Sequence, residues 1–188
     1  MSLELDAKTT ALVLIDLEHG IVAMKPEPHS ADDVVERSAK LAEAFRKAGG
    51  TVVYVHVLLH DIVRVPADEM MPVPATPPPP ELSDLVPEAG FQSGKDVLVA
   101  KRGWDAFYGT DLELQLFRRG IKTIVLGGIA TNMGVESTAR SAQARGYAVV
   151  FAEDAMSSRK TELHEFAVEK IFPVIGKVRS AKEIAKAL

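Results

Sequence analysis

The apolar positions of this chain fall into short continuous runs bounded by turn residues, and these runs alternate with segments whose apolar residues recur at helical spacing. Continuous short runs suit strands buried on both faces, and their alternation with helix-period segments is the pattern of βα units closing a mostly parallel sheet. The run Ala11 to Ile15 is the first predicted strand and ends at Asp16. Ser30, with Asp33 three residues on, has the spacing of a helix cap, and Val34, Leu41 and Phe45 then share one helical face until Gly49-Gly50 stops the helix. Further strands are predicted over Thr51 to Val57, Asp96 to Ala100, Ile121 to Leu126, Ala148 to Ala152 and Val174 to Val178. Helices are predicted over Asp111 to Arg119, Glu162 to Lys170 and Ala181 to Leu188. No repeat is visible, and residues 1–188 suit one α/β domain with a substantial core.

One stretch breaks the alternation, from about Pro66 to Pro87, with Pro77-Pro78-Pro79-Pro80 at its centre. Proline removes backbone donors and fixes φ, so an interior strand or regular helix is excluded there. An extended surface connection is the plain expectation, and a long connection in a compact domain is also a candidate lid or subunit contact. A formal charge of -4 and a pI near 5.8 offer no basic surface for a polyanion, so nucleic acid is not an expected partner. The first residues lack a basic and apolar signal pattern, and no apolar run reaches membrane-spanning length, so a cytoplasmic protein with no membrane partner is expected.

Three places carry candidate chemistry. Asp16 directly follows Leu12-Val13-Leu14-Ile15, at the carboxyl end of a buried strand, where open α/β sheets bind their ligands; a turn or helix-cap acid is the alternative. Lys101 repeats that placement after Val97-Leu98-Val99-Ala100, and opposite charges on one rim can pair. Ile124-Val125-Leu126 ends in Gly127-Gly128, where tight backbone is allowed, and Thr131 or Asn132 can cap a helix whose first N–H groups would hold an anion or a developing oxyanion. Trp104, Phe107 and Tyr108 are candidates for an apolar pocket wall, and equally for core or subunit contact. His56 and His60 are four apart but not on a helix, so no metal pair is expected, and His19, His29 and His164 show no partner in the sequence.

Taken together, these residues resemble the isochorismatase-like cysteine hydrolase family over nearly the whole chain. Ala11-Leu12-Val13-Leu14-Ile15-Asp16 is similar to the family's first strand with its catalytic aspartate. Lys101 with Ala106-Phe107-Tyr108-Gly109-Thr110-Asp111-Leu112 is similar to the catalytic lysine and its following loop. Ile129-Ala130-Thr131-Asn132 and Val135-Glu136-Ser137-Thr138-Ala139-Arg140 resemble the nucleophile turn. The resemblance implies a three-layer α/β/α fold with a six-stranded parallel sheet ordered 3-2-1-4-5-6, and a cis peptide between Ile129 and Ala130. A substrate would meet the turn at Ile129, Ala130, Thr131 and Met133, with Trp104 and Phe107 nearby; no metal or other cofactor is expected, and a homo-oligomer is.

Two departures shape the functional expectation. Gly134 stands at the position of the family's cysteine in a chain with no cysteine at all, and Glu18 stands where many members have glutamine. An acyl-enzyme route through a thiol is therefore not available. True isochorismatases cleave a vinyl ether by substrate protonation without that cysteine, so the resemblance implies acid-base hydrolysis of a small anionic metabolite, with Asp16 as acid or base and Lys101 as its partner. The alternatives are amide or ester hydrolysis by water activated at Asp16, and a member that binds a small molecule without turning it over.

Overall fold

Every residue of β1 (Thr10–Ile15) is buried, which places it between two apolar layers. The computed structural model, which describes residues 3–69 and 75–188, adds β2 (Thr51–Val57), β3 (Val97–Lys101), β4 (Thr123–Ile129), β5 (Ala148–Ser157) and β6 (Lys177–Arg179). They form one six-stranded sheet in the order β3-β2-β1-β4-β5-β6, with every pairing parallel. The helices are α1 (His19–Val22), α2 (Ala31–Lys47), α3 (Leu112–Arg118), α4 (Glu136–Ala144), α5 (Thr161–Phe166), α6 (Phe172–Ile175) and α7 (Ala181–Ala187). None of the described helices is long and apolar enough to cross a membrane.

The period-two geometry of a strand divides the core into two layers. Ala11, Val13 and Ile15 of β1 join Leu112 and Leu116 of α3, Ala139 and Ala142 of α4, and Phe172 on one side of the sheet. Leu12 and Leu14 join Val34, Leu41 and Phe45 of α2 and Ile184 of α7 on the other. The result is the three-layer α/β/α architecture. At the start of α2, Ser30 Oγ accepts from Asp33 N at 3.1 Å. At its end Gly49 turns into the left-handed region (φ 77), while Gly49 N and Gly50 N donate to Arg46 O and Phe45 O. These paired bonds terminate the helix where the two glycines predicted a stop.

The strands β4 and β5 run past their expected ends, to Ile129 and Ser157, and larger departures lie elsewhere. The last strand is Lys177–Arg179, while Val174 lies in α6, where Pro173 favours a helix start and Gly176 ends it. A Cβ on Gly176 would lie 2.2 Å from Val149 O, so the chain passes against β5 only because that side chain is absent. The helix expected over 162–170 instead ends at Phe166 and continues as a wider π turn over Ala167–Ile171. Part of the proline-rich connection, residues 70–74, lies outside the described residues. Its later part folds into short 3₁₀ turns at Pro80–Ser83 and Pro87–Ala89, both opened by proline. It is tied to the sheet by an antiparallel bridge between Leu85 and Glu18 and by Tyr54 OH donating to Ala89 O at 2.7 Å.

Candidate active site

The strand order reverses between β1 and β4, and such a switch point opens a crevice at the carboxyl edge of a parallel sheet. Asp16 stands there, directly after β1. Its N–H still donates to Val55 O at 2.8 Å, but its φ of 54 turns the chain away from the strand direction. A non-glycine residue in that region costs about 1–3 kcal/mol and is held by its surroundings. Lys101 closes β3, on the far side of β2, and its side chain crosses to the same point. Lys101 Nζ donates to Asp16 Oδ2 at 2.7 Å and to Gly103 O at 2.9 Å. The pair is removed from water, with Lys101 2% and Asp16 6% exposed.

Burial pushes the Asp16 carboxyl above its ordinary range, and Lys101 only partly pulls it back. Glu18, fully buried two residues on, is pushed well above the ordinary glutamate range, first by burial and then by the neighbouring Asp16 charge. One Glu18 oxygen, Oε1, accepts from Val57 N at 3.2 Å. Glu18 Oε2 and Asp16 Oδ1 are buried without a partner among the described residues. A buried polar atom left unpaired is costly, and the cost rises when it is charged.

Glu18 therefore supplies a pH-dependent stability test. Its folded-state pKa lies above the unfolded value, so its favourable contribution is complete below about pH 4.5 and is lost as pH rises through the folded pKa. Glu18→Gln keeps an acceptor for Val57 N–H and removes the ionisation. Thermal melts should show the variant more stable than the parent at pH 8, by about 2–4 °C for each kcal/mol relieved, with the gap closing towards pH 4.5. A gap independent of pH, or a variant that melts lower at pH 8, would contradict the assignment.

The third part of the site is the turn after β4. Gly128 (φ 111) passes so close to β1 that a Cβ there would lie 2.0 Å from Ile15 O, which only glycine permits. The Ile129–Ala130 peptide is cis, and a π turn over Thr131–Val135 leads into α4. Neither Thr131 nor Asn132 caps that turn, contrary to the expectation; Ala130 holds the cap position with no side-chain bond. The two side chains have other partners, Thr131 Oγ1 lying 2.8 Å from His164 Nδ1 and Asn132 Oδ1 accepting from Ser158 Oγ. Met133 N and Val135 N both donate to Ala130 O, at 3.1 and 3.2 Å, so an oxyanion would need other donors of the turn.

Gly134 completes the convergence. A Cβ built on it would lie 3.3 Å from Asp16 Oδ2, 3.6 Å from Lys101 Nζ and 2.9 Å from Ile15 Cγ2. The structure thus brings Asp16, Lys101 and Gly134 to one point, with the Glu18 carboxyl near enough to feel the charges of Asp16 and Lys101. Ile129 is buried, and Ala130 and Met133 are half-buried.

The aromatic cluster divides. Trp104 and Tyr108 are exposed, but Phe107 is only 5% exposed, stacked on Tyr147 with the Arg145 guanidinium over its ring. Phe107 therefore belongs to the core rather than to a pocket wall, since the loop that carries it is pulled onto α4 where Ala106 N donates to Thr138 Oγ1 at 3.1 Å. A cavity of about 290 Å³ beside His56, Leu85, Phe91 and Leu98 is not lined by Asp16, Lys101 or Gly134.

Two of the histidines depart from expectation, while His56 does not. His56 Nδ1 lies 2.7 Å from Ser83 O, and the ring is near enough to Asp16 to favour its ionised form. His29 and His164, which show no partner in the sequence, have rings 5.5 Å apart and form a group with Glu153. No spacing rule could reveal this group, because its members come from three distant segments.

Comparison with known proteins agrees with this architecture. A family model described as the isochorismatase domain matches residues 10–183. The chain is 48% identical over 190 residues to the uncharacterized isochorismatase family protein YecD of Escherichia coli O157:H7, covering 99% of this chain and 100% of the relative. An isochorismatase family protein from Burkholderia thailandensis superposes with a TM-score of 0.91 at 45% identity, over 100% of this chain and 99% of the other. A ureidoacrylate amidohydrolase from Methylorubrum extorquens is 36% identical over 105 residues, 55% of this chain and 40% of that protein.

Proposed function

The chain belongs to the isochorismatase family, and on that premise we propose that it is a hydrolase of a small molecule in which Asp16 moves the proton and no thiol takes part. The observation that carries this reading is the state of the Asp16 carboxyl. One oxygen, Oδ2, is held by Lys101, while Oδ1 is buried and unpartnered among the described residues. Burial favours the protonated form more than Lys101 favours the carboxylate, so the pKa of the group is raised above its ordinary value, the direction that a proton-donating acid requires. Lys101 positions Asp16 and is itself committed inside the protein, since its ammonium also donates to Gly103 O. Recognition of an anionic substrate then falls to backbone N–H groups of the turn.

Gly134 sets what can approach. With no side chain at Gly134, none stands against Asp16 Oδ2 from this turn, and a substrate atom or a water must reach that oxygen past Ile15 Cγ2, which would lie 2.9 Å from a Cβ at this position. With a substrate atom there, Asp16 protonates a leaving oxygen, as vinyl-ether cleavage needs. With a water there, Asp16 takes its proton for attack on an amide or ester carbonyl. The partial likeness to an amidohydrolase favours testing the second route beside the first.

A screen of isochorismate, nicotinamide-like amides and simple esters tests the proposal, with Gly134→Cys assayed beside the parent. The new thiol would lie near the Lys101 ammonium, which lowers a thiol pKa and makes it more nucleophilic at neutral pH. Ile15 Cγ2 would have to yield a few tenths of an ångström, at a stability cost of about 1–3 kcal/mol. Gly134→Cys should gain amidase or esterase activity over the parent and react with a thiol reagent faster than a free thiol. The chain has no other cysteine, so the labelling has no background. Absence of turnover by the parent across the whole screen would contradict the proposal, and specific binding without turnover would mark a binding protein.

A further inference from the structure

His29 precedes α2, Glu153 lies in β5 and His164 lies in α5, yet one ligand-capable atom of each is within 4.8 Å of the other two. Four-coordinate zinc holds His nitrogen and carboxylate oxygen at about 2.0–2.2 Å, with ligand atoms roughly 3.3 Å apart, so small side-chain adjustments would close the group around an ion. His164 is nearly buried, and His29 and Glu153 are half-buried. We propose that His29, Glu153 and His164 form a binding site for a divalent transition-metal ion, Zn²⁺ by the chemistry of the donors, separate from the Asp16–Lys101 centre.

Both rings are suited to the role. Burial, and then the neighbouring imidazole, hold the His164 pKa down to about 4, and burial followed by Arg37 lowers that of His29. Both shifts favour the neutral imidazole, which keeps a lone pair for a metal. His164 Nδ1 is taken by Thr131 Oγ1, which can accept its N–H, leaving Nε2 as the nitrogen offered to the ion. A ligating histidine with its other nitrogen bonded to the protein has its ring direction and tautomer set in advance. Glu153 has its carboxyl pushed up by burial and by Asp154, a cost that a bound cation would relieve.

Arg37 is the competitor within this group. Its Nη1 lies 3.3 Å from His29 Nδ1 and donates to Asp154 O at 2.7 Å. While an arginine faces Nδ1, the neutral ring carries its proton on Nε2. An ion binding at Nε2 must move that proton to Nδ1, so Arg37 gives up His29 and keeps Asp154 O. Asp33 and Asp154 act on His29, and Asp154 and Glu183 on Glu153, so acidic groups also face the cluster. An ion here would tie the segment before α2, the strand β5 and the helix α5 together behind Thr131, the first residue of the turn that carries Gly134.

The experiment uses the full chain after chelator treatment and desalting, titrated at pH 7.5 with Zn²⁺ by calorimetry and with Co²⁺ by visible absorption. The expected result is saturable uptake of one ion per chain, with Co²⁺ ligand-field bands typical of nitrogen and oxygen donors. His29→Ala and His164→Ala should each weaken binding by at least about 100-fold, and Arg37→Gln should tighten it by about 10-fold, because glutamine can accept from His29 Nδ1. His29 is half-buried, so its variant keeps the measurement interpretable if His164→Ala does not fold; circular dichroism of each variant verifies this. Absence of saturable uptake by the parent, or equal affinity in the parent and a folded His29→Ala, would overturn the proposal.

Discussion

Asp16→Asn is expected to lower turnover by about 10²–10⁴-fold, with substrate binding retained. Asparagine has the shape of aspartate and can still accept from Lys101 Nζ, but it can neither give nor take the proton. It is also the substitution that the backbone tolerates, because Asp16 has a φ of 54 and asparagine enters the left-handed region more easily than most residues. Alanine there would combine lost chemistry with backbone strain and could not separate the two. The exchange does leave the buried Lys101 ammonium without its counter-charge, so part of the effect will be on stability. A melt and a kcat measurement at a temperature where the variant is folded distinguish these contributions. Full activity in folded Asp16→Asn would remove Asp16 from the chemistry and with it the proposed mechanism.

Much of the fold was legible because each layer leaves a local signal. The buried strand before Asp16, the Ser30 cap and the Gly49-Gly50 stop are patterns of a few neighbouring residues, and all three are found where the pattern puts them. The boundaries that moved depend on distant contacts. Val174 reads as strand because its neighbours are apolar, yet Gly176 must pass against Val149 O, which ends α6 and delays the strand to Lys177. The convergence of Asp16, Lys101 and Gly134 was expected from the resemblance, which implies that these positions share one site. Three features had no local signal: Phe107 turning into the core, Thr131 turning to His164 in place of a cap, and Glu18 losing all contact with water. Each depends on which segment packs opposite, and that is not encoded within a window of ten or so residues.

Lys101→Met should have the largest effect on stability, and its pH dependence separates the two roles open to Asp16. The side chains have similar length, so packing is largely kept, but the substitution breaks a buried ion pair and leaves Asp16 without its cation. Removing one partner of such a pair costs about 3–5 kcal/mol. At about 2–4 °C per kcal/mol, the melting temperature should fall by roughly 6–20 °C near neutral pH. With Lys101 gone, only the weaker pull of His56 opposes burial at Asp16, and its pKa rises further. The variant's fold is then least penalised below the ordinary aspartate value, where the carboxyl is neutral folded or unfolded, and loses stability as pH rises through the higher folded pKa. Its deficit relative to the parent should therefore shrink as pH falls. The same shift acts on activity in a direction that depends on mechanism. If Asp16 works as the acid, turnover in the folded variant persists at neutral pH and its alkaline limb moves upward. If Asp16 works as the base that draws a proton from water, neutral activity collapses and recovers only at higher pH. A pH profile of kcat/KM for Lys101→Met therefore assigns the proton transfer, and a profile unchanged from the parent would show that Lys101 does not act through Asp16.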